Sequence, residues 1–326
     1  MQFSVYQQTH IGGRKVNQDR MGYSFTRDAL LLVLADGMGG HLAGEIAATI
    51  ALQTMSMMFR MQAKPYVKKP ERFLEEALTQ AHWDILAYAD TNKLPETPRT
   101  TVVACLVQHN CAVWAHCGDS RLYWLRRNQV LARTRDHSHL EYLIERGRAS
   151  EADRNTHPDR NKLYNCLGAG QVPRIDVSRQ ASLEPGDTLL LCSDGLWSML
   201  PDAEIVHRLS TSSIVQAVPD MVAMAAAIGG ARADNTTALA ITWQGADTKG
   251  SLGPDVISTR MLPEDGVSST IIAGRPLPPA AGPGANPGAN SGANSGAVAD
   301  AFDEDEIEKA IAEIREAIEK SSQLLK

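Results

Sequence analysis

The feature that most restricts this chain is an apolar strand that runs out into an aspartate, a pattern it repeats. Leu30–Ala35 carries no polar residue and leads directly into Asp36-Gly37-Met38-Gly39-Gly40. Thr188–Cys192 leads to Ser193-Asp194-Gly195, Ala115–Cys117 leads to Gly118-Asp119-Ser120, and Asp234-Asn235 opens a last apolar stretch. Short apolar runs bounded by turn residues read as strands. An aspartate at the end of such a strand emerges at the sheet edge with its carboxylate aimed outward, and a following glycine lets the backbone turn sharply. A single Asp-Gly pair is usually only a turn. Several such edges brought together make an all-oxygen cage, the ligand set of a hard divalent cation, Mg²⁺ or Mn²⁺, rather than of zinc.

The segments around these edges predict an α+β chain. Met1–Ile11, Arg20–Thr26 and Leu30–Asp36 read as strands, and Glu45–Met61 and Glu71–Asn92 have the three-and-four spacing of helices. Thr100–Gln108, Ala112–Gly118, Arg121–Arg127, Gln129–Thr134, Arg174–Ser182 and Thr188–Ser193 read as strands. Helices over Ala203–Leu209 and Ile214–Gly229 precede a last strand, Thr237–Trp243. Runs of strands joined by hairpin-length turns, with helices grouped in pairs, favour mostly antiparallel sheets over a doubly wound α/β fold.

The chain changes character after Gln244. Gly274–Gly296 is built of Pro, Gly, Ala, Asn and Ser repeats that bury too little surface to fold, so 245–300 reads as a flexible linker. Over 301–326 helical periodicity returns, with Ile307, Ile311, Ile314 and Ile318 forming a narrow seam. Two readings stay open for this acidic amphipathic segment: a solvated terminal helix, or a helix that docks on a partner or on a second copy. Residues 1–244 are then the folded domain.

Composition removes other classes. The net charge of −6 shows no concentrated basic surface, which argues against nucleic acid as the main partner. No apolar run in the sequence approaches the ~18–20 residues of a membrane span, and Met1–Lys15 lacks the layout of a signal peptide, so a cytoplasmic location is expected. Five cysteines, Cys105, Cys111, Cys117, Cys166 and Cys192, include no Cys-x-x-Cys pair, which argues against a disulfide framework and a structural zinc site.

The acidic edges belong to a longer ordered series. It comprises Gly12-Gly13-Arg14-x-x-Asn17-Gln18-Asp19, Ala35-Asp36-Gly37-Met38-Gly39-Gly40-His41, Gly44-Glu45, Thr100-Thr101 and Gly118-Asp119-Ser120-Arg121-x-Tyr123. Asp136-His137-Ser138, Cys192-Ser193-Asp194-Gly195-Leu196-Trp197 and Asp234-Asn235-Thr236-Thr237 complete it. In these motifs and their order the chain resembles the PPM family of metal-dependent serine/threonine protein phosphatases in its compact bacterial form, over roughly Phe3 to Trp243.

The resemblance implies an αββα sandwich, two antiparallel sheets each covered by a helix pair, with a two-metal centre at one end. It implies that Asp36 bridges both ions, that Asp194 and Asp234 hold one, that the Gly37 carbonyl faces the other, and that Asp19 contributes through water. Asp119, with Asp194, matches the ligands of a third ion. The implied reaction is attack on a phosphoserine or phosphothreonine by a water or hydroxide bridging two ions of Mn²⁺ or Mg²⁺. Arg14 is placed by its motif to grip two phosphate oxygens. The implied partners are phosphorylated proteins and a cognate Ser/Thr kinase. The alternative is a catalytically inactive phosphoprotein-binding or scaffold protein, a class that usually loses a metal aspartate; none is lost here.

Four positions depart from the family pattern. Met38 stands where other members carry a histidine proposed as general acid, and His41 is left either as an acid or as a structural residue at a helix start. Gln18 replaces a usual Glu, Arg99 stands where Gly precedes Thr-Thr, and Asn165 stands where Arg is usual. His137–Leu163 matches a mobile flap beside the metal centre. It contains one helix, His139–Arg146, and its His137, His139 and His157 read as solvated rather than zinc-binding.

Overall fold

A ten-residue strand, Ala29–Met38, sets up one half of the molecule. Ala29–Ala35 is fully enclosed, as a strand covered on both faces must be. The computed structural model describes residues 1–38, 44–150, 153, 157–159 and 162–245. In chain order the strands begin β1 (Gln2–His10), β2 (Asp19–Phe25), β3 (Ala29–Met38), β4 (Arg99–Gln108), β5 (Cys111–Cys117) and β6 (Arg121–Arg126). They continue with β7 (Gln129–Arg133), β8 (Asp176–Val177), β9 (Ala181–Ser182), β10 (Thr188–Cys192) and β11 (Thr236–Gly245).

Two sheets result, with every pairing antiparallel. One is ordered β1-β11-β10-β6-β7; the other is ordered β2-β3-β4-β5-β8, with β9 also on β5. Neither closes into a barrel. Their facing sides interdigitate: Met21, Leu30, Leu32, Leu34, Val103 and Cys105 of one meet Leu122, Leu189, Leu191, Leu239 and Ile241 of the other. Helices α1 (Gly44–Gln62) and α2 (Pro70–Thr91) cover the second sheet. Helices α5 (Asp202–Thr211) and α6 (Ile214–Gly229) cover the first, where Ile205, Ala217, Met221 and Val222 pack against Tyr123, Leu190 and Ala240. The expected αββα sandwich is the fold observed.

Local chemistry explains several boundaries. Pro70 opens α2 at the one place in a helix where its missing N–H is harmless. Ser138 caps α3 (His139–Glu145) by accepting the Glu141 N–H at 3.2 Å. The β4–β5 and β6–β7 hairpins turn through His109-Asn110 and Arg127-Asn128, all at positive φ.

Four expectations need correction. Asp36 does not end its strand: the β3–β4 ladder continues past it to Met38 opposite Arg99. Arg174–Ser182 is not one strand, because between the Ala115–Val177 and Ala112–Ala181 pairs its side has one residue more than β5. The extra residue bulges the chain there, and the Ser178 hydroxyl accepts the Trp114 N–H in the ladder. At Asp194-Gly195, read as a sharp turn after the strand, the chain instead enters a single helical turn, α4 (Asp194–Trp197). Finally, one stretch among the described residues, Ile214–Arg232, is long and apolar enough to cross a membrane by length and composition; one face of α6 within it packs on the sheet of β1 and β11. His41, the linker and the acidic terminal segment lie outside the described residues.

Candidate metal centre

The two sheets bring their acidic edges to one place. On the second sheet, Asp19 and Asp36 are direct partners across the β2–β3 ladder, and Asp36 faces Thr101 on its other side. The Thr100 hydroxyl donates to the Asp36 carbonyl at 2.9 Å. Asp119 follows β5, where the Trp197 indole N–H donates to its carbonyl at 2.9 Å. On the first sheet, Asp194 begins α4 just beyond β10, and Asp234 lies just before β11.

Gly37 is glycine for want of space. A Cβ there would lie 2.2 Å from the Gly44 carbonyl oxygen, so the start of α1 closes onto β3 only if position 37 has no side chain. The Gly37 carbonyl in turn sits beside Gly44, and the Gly37 N–H donates to the Gln18 carbonyl at 3.2 Å.

Electrostatics shows that the carboxylates form a group. Burial first, and then the charges of neighbouring aspartates, raise Asp36 and Asp194 well above the ordinary carboxylate range. Burial lifts Asp119 to about 7, with Asp136 adding to it, and Asp19 to about 6. Asp19 is 2% exposed, and its Oδ1 is buried without a hydrogen-bond partner. Desolvated, mutually repelling, all-oxygen and under-satisfied, this cluster fits hard divalent cations.

Arg14 also reaches the cluster. Its Nη2 lies 2.6 Å from Asp234 Oδ2, and that hydrogen bond raises its pKa further. Asn235 holds the Arg14 loop in place: its Nδ2 donates to the Ile11 and Val16 carbonyls, and its Oδ1 accepts the Gln18 N–H. The Gln18 side chain donates to Glu45 at 3.1 Å, where the usual Glu would set two negative charges together.

Sequence reasoning gave no role to the residues that tie these edges to each other. Ser193 Oγ donates to Asp19 Oδ2 at 2.8 Å and accepts the Thr237 N–H at 2.9 Å, so one hydroxyl links the two sheets. Arg121, 2% exposed, forms a bidentate pair with Asp136 at 2.8 and 2.7 Å and stacks on Trp197, its guanidinium carbon 3.6 Å from the ring centroid. Both stood in quoted motifs; their pairing depends on which loops the fold brings together. Nor is His137 solvated: it is 2% exposed and stacked on His116, while His139 is 40% exposed in its side chain. Of the cysteines, four are buried and Cys111 is half-buried, all as free thiols.

A two-sheet α+β sandwich with a carboxylate cluster at its edge is the architecture of metal-dependent phosphoester hydrolases of one family. The sequence profile of that family, described as Protein phosphatase 2C, matches residues 6–230, and the chain belongs to it. It is 32% identical over 231 residues to the serine/threonine phosphatase stp of Listeria innocua, covering 70% of this chain and 90% of that one. It resembles the Streptococcus agalactiae serine/threonine phosphatase structure with a TM-score of 0.67 at 26% identity, covering 74% and 99% of the two chains. The catalytic domain of the serine/threonine phosphatase PstP in complex with two manganese ions superposes with a TM-score of 0.63 at 26% identity, covering 74% and 97%.

Proposed function

We propose that this protein is a metal-dependent serine/threonine protein phosphatase that hydrolyses phosphoserine and phosphothreonine in protein substrates. The observation that carries the reading is the convergence of Asp19, Asp36, Asp119, Asp194 and Asp234 from both sheets beside one guanidinium, Arg14. Asp36, Asp194, Asp234 and the Gly37 carbonyl would hold two ions of Mn²⁺ or Mg²⁺, and Asp119 with Asp194 a third. When bound, the ions supply Lewis acidity and make water a nucleophile near neutral pH.

The chain's own residues do the rest. Asp19, buried and held by Ser193, keeps a negative charge behind Asp36. Arg14, with a side chain 58% exposed, is free to turn from Asp234 toward two oxygens of an entering phosphoryl group. An open depression beside it, lined by Gly13, Arg14, Ala231, Arg232 and Ala233, brings a second guanidinium to the same approach. None of the cysteines is required: burial pushes the thiols of Cys105, Cys117 and Cys192 far from ionisation. We assign the opposing activity to a Ser/Thr kinase of the same cell and the location to the cytoplasm. For the terminal segment 302–326 both readings stand, a solvated terminal helix or a helix that docks on a partner or a second copy.

Hydrolysis of a phosphothreonine peptide with and without Mn²⁺, for wild type beside Asp36→Asn, tests the reading. Turnover that needs the metal and is lost in the variant supports it. A folded, Mn²⁺-loaded wild type without turnover overturns it in favour of phosphoprotein binding.

A further inference from the structure

A second polar cluster lies at the root of the 137–163 segment. His116 on β5, His137 after β7 and Asp176 on β8 bring one ligand-capable atom each to within 4.8 Å of one another. Two imidazoles and a carboxylate have the composition of a transition-metal site. The hydrogen bonds, however, place the protons. His116 Nε2 lies 2.6 Å from the Arg135 carbonyl, which only accepts, so that nitrogen carries the hydrogen.

His137 is fixed more firmly. Its Nδ1 faces the Gly118 N–H at 3.2 Å and the Asn165 amide nitrogen at 2.5 Å. The Asn165 amide cannot be turned over, because Nδ2 also donates to the Arg174 carbonyl at 2.7 Å while Oδ1 accepts the Arg174 N–H at 3.0 Å. Two donors on Nδ1 make it the unprotonated nitrogen. The ring hydrogen is therefore on Nε2, 3.4 Å from Asp176 Oδ2, and a metal there would have to displace it. Burial, with His116 adding to it, pushes His137 down to about 4, which keeps the ring neutral.

What this ring holds is the turn before Asp119. The His137 N–H donates to the Gly118 carbonyl at 2.9 Å while His137 Nδ1 accepts the Gly118 N–H, so both peptide groups of Gly118 end on one residue. The Tyr164 N–H donates to the His137 carbonyl at 3.0 Å, and Asn165 reaches the ring, so the far end of the segment is fastened to the same point. Gly118 needs such a clasp: it has φ +110°, and a Cβ would lie 2.5 Å from Thr101.

We propose that His137 is a positioning residue that fixes the Gly118 turn and so aims Asp119, setting the affinity of the third divalent ion. The inference rests on the assignment of Asp119 to that ion. It also assigns the His116–His137–Asp176 cluster to hydrogen bonding, not to a metal.

Calorimetric titration of the full chain with Mn²⁺, for wild type, Asp119→Asn, His137→Ala and His137→Asn, tests it. Wild type shows tight sites and a weaker one, and Asp119→Asn loses the weaker one. His137→Ala weakens that same site by about tenfold or more, the range commanded by outer partners of metal ligands, and leaves the tight sites unchanged. His137→Asn, whose Oδ1 replaces Nδ1 as acceptor, recovers it. If Asp119→Asn abolishes the weak site and His137→Ala does not alter it, the inference is wrong while the assignment of Asp119 stands. If Asp119→Asn changes nothing, or wild type has no weak site, the assignment fails and takes the inference with it. A readout that needs no variant is the ¹⁵N spectrum of the imidazoles. An unprotonated Nδ1 and a protonated Nε2 are expected for His137, unmoved by Zn²⁺; the opposite tautomer, or coordination of Zn²⁺ at Nε2, overturns the clasp.

Discussion

Ser193 Oγ donates to Asp19 Oδ2 at 2.8 Å, and through that bond the first sheet holds the carboxylate that backs Asp36 on the second. Ser193 is fully buried and also accepts the Thr237 N–H, so its hydroxyl is both donor and acceptor with no water to replace it. Ser193→Ala leaves the Thr237 N–H unpaired and takes one donor from Asp19. A loss of about 1–3 kcal/mol is expected, the cost of an orphaned buried group. Urea denaturation of the Mn²⁺-free protein measures it directly. A loss below a few tenths of a kcal/mol would show that the sheets are not joined through this hydroxyl.

Metal and protons compete for the same carboxylates. Asp19 at about 6 and Asp119 at about 7, with Asp36 and Asp194 also raised, bind protons in the folded metal-free protein at pH values where the unfolded chain has released them. The contribution of Asp19 and Asp119 to stability is therefore present below about pH 4 and is lost as the pH rises through 6 to 7, and Asp36 and Asp194 act in the same direction. His137, depressed to about 4, acts in the opposite direction as the pH falls below about 6.5, but equally with and without metal. The rise in Tm caused by Mn²⁺ over EDTA should consequently grow between pH 5 and pH 7.5. Paired melting curves check this, and an increment independent of pH would separate these aspartates from the ions.

How much of this was legible beforehand depended on whether a feature is local. Leu30–Ala35 and Thr188–Cys192 announce themselves because a buried strand is written in consecutive residues, and the antiparallel α+β character, the helix pairs and the acidic edges were readable in the same way; the sandwich itself was implied by the family resemblance. The extra residue before Ala181 was not, since a bulge is a mismatch of two strands' lengths and shows in neither alone. The burial of His137 was hidden for a similar reason: the polar residues around it suggest solvent, whereas its neighbours His116, Asn165 and Gly118 come from other parts of the chain. The pairing of Arg14 with Asp234, 220 positions apart, likewise depends on the loop that Asn235 fastens.

Arg121 and Asp136 form an ion pair exposed by 2% and 4%, with Trp197 stacked on the guanidinium and Tyr123 accepting from Nη1 at 3.1 Å. Removing only the cation takes the bidentate guanidinium from a buried carboxylate. Arg121→Met should cost about 3–5 kcal/mol. The double variant Arg121→Met with Asp136→Leu should recover part of that, because it also removes the buried negative charge that had lost its cation. Chemical denaturation of the two variants provides the comparison. A double variant no more stable than the single one would mean that the stacking on Trp197, not the ion pair, holds this corner.

Arg14 separates catalysis from stability. It is exposed, and its salt bridge to Asp234 joins two groups that both meet solvent, so Arg14→Ala should move the Tm little. Removing the guanidinium leaves Asp234 without this competitor for a cation, and Mn²⁺ should bind at least as tightly as to wild type. The phosphoryl group, by contrast, loses a two-pronged partner that a lysine cannot replace, since one ammonium cannot match two oxygens in a plane. A fall in kcat/KM of about tenfold to a hundredfold on a phosphothreonine peptide is expected, shared by Arg14→Ala and Arg14→Lys. Steady-state kinetics beside Mn²⁺ titration distinguishes the two possible duties of this residue. Weaker metal binding with unchanged KM would place Arg14 in support of the ion; tight metal binding with raised KM or lowered kcat puts it on the phosphate.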